Sequence, residues 1–142
     1  MKRINFIGII LVCLLCTASR CNKDDCHKTI KFINNSSKDV YIYDCITCSD
    51  TLAFNEKFPN PYNQPNLWKV ESEGKNTWGL SRRDCYESRV SQGRVIIYVF
   101  DAEVLANYSW GVIGRDYMVL KTIRPTLEEM ERSDWTVTFT CE

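Results

Sequence analysis

Val95-Ile96-Ile97-Tyr98-Val99-Phe100 is an unbroken apolar run, and it constrains the fold more than any other stretch of the chain. A half-exposed strand alternates apolar and polar residues, whereas a surface helix repeats its apolar positions every three or four. An unbroken β-branched and aromatic run instead suits a central strand covered on both faces. A core strand is therefore expected over Arg94–Asp101. Asp101 can then cap a short helix over Ala102–Ala106, its carboxylate accepting from an amide that the helix leaves unpaired.

The rest of the body reads as shorter strands between turns. Thr29–Asn34 and Val40–Asp44 are β-branched and aromatic, and the polar stretch Asn35-Ser36-Ser37-Lys38-Asp39 between them predicts a hairpin. Pro59, Pro61 and Pro65 mark Asp50–Asn66 as a long surface loop. Short strands are expected at Leu67–Glu71 and Thr77–Leu80, joined around Gly74. Gly111 and Gly114 loosen the chain before a strand over Tyr117–Ile123. Thr126-Leu127-Glu128-Glu129 has the spacing of a capping box and should start a short helix. Trp135, Val137 and Phe139 alternate with threonines, so a last strand over Trp135–Thr140 should bury one face and wet the other. The expected fold is mostly β, an antiparallel β-sandwich-like domain with one or two short helices; a compact α+β sheet is the alternative.

The N-terminus decides the compartment. Residues 1–20 run from basic Lys2 and Arg3 through an apolar segment, Phe6–Cys16, to the polar Thr17-Ala18-Ser19-Arg20, which is the grammar of a signal peptide. The apolar segment is too short for a bilayer core that needs about 20 helical residues. Cys21 follows at once, and residues 21–28 form a charged tether ahead of a single β-rich domain at 29–142. Cys21 behind Thr17-Ala18-Ser19-Arg20 and followed by Lys23-Asp24-Asp25 resembles a bacterial lipoprotein acylated at that cysteine, with Arg20 standing where that class has a small residue and Ala18 where it has Leu. That resemblance implies an exported protein at the outer membrane or cell surface, its partner the membrane through the lipid anchor. Cleavage after Ala18 or Ser19 is the competing reading, and it would leave Cys21 as an ordinary thiol.

Cysteine parity separates the two. If Cys21 carries lipid, the body keeps Cys26, Cys45, Cys48, Cys85 and Cys141, so at least one lacks an intramolecular partner. In an exported, oxidising setting structural disulfides are the expectation for these five. Cys45-Ile46-Thr47-Cys48 also invites a redox reading, but Ser49-Asp50-Thr51 supplies no helix to lower a thiol pKa. Zinc at Cys26, His27, Cys45 and Cys48 is the remaining alternative for these residues. No cofactor or metal is assigned.

The 18 basic and 18 acidic residues of the whole chain cancel, and with Lys2, Arg3 and Arg20 in the leader the body is mildly acidic. Nucleic acid is a poor partner for such a surface, because phosphates need clustered cations. His27 is the lone histidine, so any Ser-His-Asp or Cys-His arrangement depends on it. Asp101 and Glu103 lie two positions apart on a helix, do not share a face, and are assigned no catalytic role. Trp68, Trp78 and Trp110, with Tyr62, Tyr86 and Tyr108, lie near loops and helix ends, where a ring can stack on a glycan or anchor an envelope protein. The run Val95–Leu105, Trp110, Tyr117–Lys121, Thr126–Glu129 and Asp134–Thr138, with the opening Cys26-His27-Lys28-Thr29-Ile30, resembles small uncharacterised Bacteroidetes lipoproteins. The resemblance implies membership of a surface lipoprotein family and brings no functional residues with it.

Overall fold

The computed structural model describes residues 26–46, 65–80, 84–90 and 93–141. Within them the order is β1 (Thr29–Asn34), β2 (Val40–Cys45), β3 (Trp68–Val70), β4 (Lys75–Gly79), α1 (Tyr86–Arg89), β5 (Ile96–Asp101), α2 (Ala102–Asn107), α3 (Trp110–Arg115), β6 (Lys121–Ile123), α4 (Leu127–Arg132) and β7 (Thr136–Phe139). The strands form a three-stranded sheet, β4-β1-β7, and a four-stranded sheet, β3-β2-β5-β6. Every pairing is antiparallel except β1 with β7, which run parallel from Lys31 opposite Thr136 to Asn34 opposite Phe139.

The apolar run ends up where its composition demands. Every residue of β5 is buried. Val95, Ile97 and Val99 face the interior between the sheets, beside Ile30 and Phe32 of β1, Val40 and Ile42 of β2, and Val137 and Phe139 of β7. Ile96, Tyr98 and Phe100 point the other way, into a second apolar layer with Ile113, Leu105 and Trp110 from the helices. The order is thus open sheet, core, covered sheet, helices. Full burial of a side chain such as Phe32 or Phe100 contributes about 1.5–3 kcal/mol, so both layers hold β5 in place. Gly79 is required where β4 meets the start of β1, since a Cβ there would run into the Lys28 carbonyl.

Several expectations are corrected. The first two strands do not form a hairpin: β1 pairs with β4 and β7, β2 with β3 and β5, so the segment between them arches from one sheet to the other. Buried Asn34 makes the arch. Its side-chain amide donates to the carbonyls of Lys38 at 2.8 Å and Glu71 at 2.9 Å, and its oxygen accepts from the Ser36 hydroxyl at 2.7 Å. The strand expected over Tyr117–Ile123 is shortened to Lys121–Ile123, because α3 and the turn at Tyr117, with φ 48°, use the preceding residues. Gly111 and Gly114 lie inside α3 rather than in a loop, and α1 too was unexpected. The described residues hold α1–α4, beyond the one or two helices expected, without changing the β-sandwich class. Residues 1–20, read as a signal peptide, together with Cys21, Cys48, Tyr62 and most of the proline-rich segment, lie outside the described residues. Among the described residues no helix is long and apolar enough to cross a membrane.

Candidate functional site

Two clusters of polar side chains lie at opposite ends of the β2–β5 ladder, where Asp44 sits opposite Ile97 and Asp101 opposite Val40. The first is built around a cross-link. Cys26 is bonded to Cys85, 59 residues away, with Cα atoms 5.1 Å apart. This holds the residues preceding β1 against α1: Tyr86 N–H donates to the His27 carbonyl at 2.9 Å, and His27 N–H donates to both Glu87 carboxylate oxygens at 3.1 Å. His27 Nδ1 lies 2.5 Å from Glu87 Oε1, so the ring and the carboxyl share one hydrogen bond.

The imidazole lies flat on Trp135, with ring centroids 4.5 Å apart, and Trp135 packs on Tyr86 at 5.4 Å. Asp134 and Trp135 both take left-handed backbone conformations, φ 51° and 52°, which is rare for a bulky residue. Trp135 is held there from both sides: its N–H donates to Met130 at 2.7 Å and its carbonyl accepts from Lys31 at 2.9 Å. Deeper in, the Tyr86 hydroxyl donates to Asp44 Oδ2 at 2.8 Å. Burial pushes the Asp44 carboxyl up, and the Tyr86 bond and the nearby Trp78 indole only partly oppose it. Trp78 Nε1 makes no hydrogen bond of ordinary geometry, so its effect on Asp44 is that of a nearby dipole. Burial, reinforced by the Asp44 charge, also pushes the Tyr86 hydroxyl well up.

The second cluster flanks α2. Lys38 Nζ lies 2.6 Å from Asp101 Oδ2, and Glu103 N–H donates to Asp101 Oδ1 at 2.9 Å, the expected cap. Burial works against the Asp101 charge, but Lys38 and the amides of Glu103 and Val104 outweigh it and hold the carboxyl below its ordinary range. Nearby, Lys69 Nζ meets Asp39 Oδ2 at 2.8 Å and the Ser72 amide donates to Asp39 Oδ1 at 2.9 Å; Lys69 first, then Ser72, lowers that carboxyl. Two hollows of about 410 and 370 Å³ share Ala102 and Ala106 of α2. Lys38, Asp39 and Asp101 line the first; Tyr41, Pro65 and Leu67 line the second.

The expected site residues separate accordingly. Trp78, 3% exposed, belongs to the core and offers no free ring; it packs against Trp68 at 5.7 Å and Phe32 at 6.1 Å. Trp68 and Trp110 are half-buried, the latter against Phe100 at 5.5 Å, and they lie in different apolar layers, so the three indoles do not form one platform. Tyr86 is fully buried, whereas Tyr108 is 49% exposed. Glu103 is exposed on α2, as expected of a solvated helix residue. Cys26 and Cys85 are joined, Cys45 is disulfide-bonded to a partner outside the described residues, and Cys141 is free and exposed. The zinc arrangement is thereby overturned: Cys26 and Cys45 are not thiolates, and His27 is engaged by Glu87. For the same reason no Cys–His pair forms at Cys26 or Cys85.

Sequence reasoning missed the Asp44–Tyr86 bond, although half its signal was visible. The two-residue period of a strand puts Asp44 on the same face as Val40 and Ile42, so a carboxylate had to point inward. Comparison with family models, curated proteins and solved structures finds no match to this chain.

Proposed function

We propose that this protein is a lipid-anchored envelope or cell-surface protein, held through acylated Cys21, that serves as a non-enzymatic recognition or assembly module. The observation that carries the reading is the Cys26–Cys85 cross-link. A disulfide of this kind persists in oxidising compartments, which agrees with the signal-like residues 1–20. It also lies where a tether needs it: a pull on the residues after Cys21 meets a covalent link to α1 before it reaches β1. The lone free cysteine among the described residues, Cys141, agrees with the odd number left once Cys21 is lipidated. Membership of a Bacteroidetes-type surface lipoprotein family belongs to the same proposal. The carboxylates Asp39, Asp44 and Asp101 are engaged by Lys69, Tyr86, Lys38 and backbone amides, as structural partners are.

Intact-mass measurement of the protein from its native membranes, with and without thiol alkylation, tests this reading. The expected result is a chain beginning at acylated Cys21 with Cys141 as its alkylatable thiol. A lipid-free chain beginning near Ser19 or Arg20, with every thiol oxidised, would remove the anchor from the argument.

A further inference from the structure

Among the described residues no element covers the outer face of the β4-β1-β7 sheet, and its composition departs from that of the other described surfaces. Register sets Thr77, Lys31 and Thr136 in one row across the three strands, and Lys75, Ile33 and Thr138 in the next. Lys31, Lys75, Thr77 and Thr138 are exposed, and Ile33 and Thr136 partly so. The two rows contain no carboxylate, although the chain after its leader carries more acidic than basic residues.

Lysine and arginine elsewhere are mostly engaged: Lys38 with Asp101, Lys69 with Asp39, Arg115 with Asp116 and Arg132 with Glu128. Among the described residues neither Lys31 nor Lys75 has an ion-pair partner. Lys31 and Lys75 are diagonal neighbours on adjacent strands, with backbones roughly 7–8 Å apart, so two flexible ammonium groups stand on one face within reach of neighbouring anionic groups on an extended chain. The Thr77 and Thr138 hydroxyls can both donate and accept, as sugar hydroxyls require, while Thr136, whose O–H donates to the Asp134 carbonyl at 3.1 Å, is left to accept.

We infer that this face binds an acidic polysaccharide of the polyuronate class, Lys31 and Lys75 meeting uronate carboxylates while Thr77, Thr136 and Thr138 bond sugar hydroxyls. A membrane surface fits less well, since the face has a single partly buried apolar side chain, Ile33, to insert. The inference rests on the recognition reading above and names its ligand class.

Calorimetric titration of the full-length protein in detergent, with oligogalacturonate and alginate fragments as probes, tests it. Binding should weaken with added salt and drop roughly tenfold or more when the uronates are methyl-esterified, which removes charge and keeps the hydroxyls. The Lys31→Gln/Lys75→Gln double variant should lose affinity by a similar factor with unchanged thermal unfolding, and Thr77→Val should lose less. Silence toward both probes, equal affinity for the esterified form, indifference to the double variant, or binding to anionic vesicles in place of the uronates would each overturn the inference. The acyl mass at Cys21 is measured separately, so a failed titration and a failed anchor are told apart.

Discussion

Asp44 and Asp101 expose the same small fraction of their surface, 8% each, yet Asp44 lies deep between the sheets and Asp101 near the surface at the end of β5, and their carboxyl groups are driven in opposite directions. Asp44 points between the sheets, where the cost of desolvation exceeds what the Tyr86 hydroxyl returns, so its neutral form is favoured. Asp101 ends β5 beside a lysine and the first amides of a helix, so its charged form is favoured. Equal residual exposure therefore does not imply equal charge: depth below the surface and the partners at each end of the ladder decide it together.

The strongest way to disturb the Asp44 end is to release the clamp that positions Tyr86. Cys85→Ser, which opens a cross-link spanning 59 residues, should cost about 3–4 kcal/mol in urea unfolding. A midpoint matching the wild type would show that the cross-link does not constrain the fold. At the other end, Asp101→Ala should cost about 1 kcal/mol for the lost cap, together with the Lys38 pair. Because folding lowers the Asp101 pKa, its contribution is present above the ordinary carboxylate range and is lost as pH falls through the depressed native value. The gap between wild type and variant should accordingly close in acid, and a gap that widened there would contradict the assignment.

Asp44→Asn should act with the opposite sign, stabilising by about 1 kcal/mol in mildly alkaline solution, since the amide oxygen still accepts from Tyr86 without a buried charge. Folding raises the Asp44 pKa, so the wild type loses stability as pH rises through the native value, and the advantage of the variant should disappear below the ordinary carboxylate range. Unfolding midpoints across pH for both variants make the comparison direct; parallel curves would erase the distinction between the two ends. The smallest effect is expected at Asp134→Gly, which relieves a left-handed residue next to Trp135 and should stabilise by roughly 0.5 kcal/mol after the added freedom of the unfolded chain is counted.

What was legible in the sequence was local. Asp101 caps α2, and Thr126 and Glu129 bond each other's backbone amides at 3.1 and 2.7 Å, because such motifs depend on residues only a turn apart. The apolar run of β5 and the alternation of β7 were equally readable, since burial pattern follows strand period. Choices between distant partners were not. Five polar residues after β1 serve an arch between sheets as well as a hairpin, and the inward Asn34 decides between them only once Glu71 is in reach. Ser109 starts α3 without a side-chain cap bond, so the glycines that follow gave the stronger and misleading signal. Tyr86 reaches Asp44 only because α1 is held to the chain ahead of β1, a contact invisible to any local window. The uncovered sheet face likewise emerges from three strands far apart in sequence.

The parallel pairing of β1 with β7 makes the centre of the open sheet depend on the last strand of the described chain. Without Thr136–Phe139, β1 can pair with β4 on one side while its other edge stays open. A chain interrupted anywhere before Thr136 therefore carries an unpaired strand edge at the centre of its open sheet, where another chain can attach. Stop codons that fall after β4 and before the codon for Thr136 should produce aggregates rather than a shortened working protein.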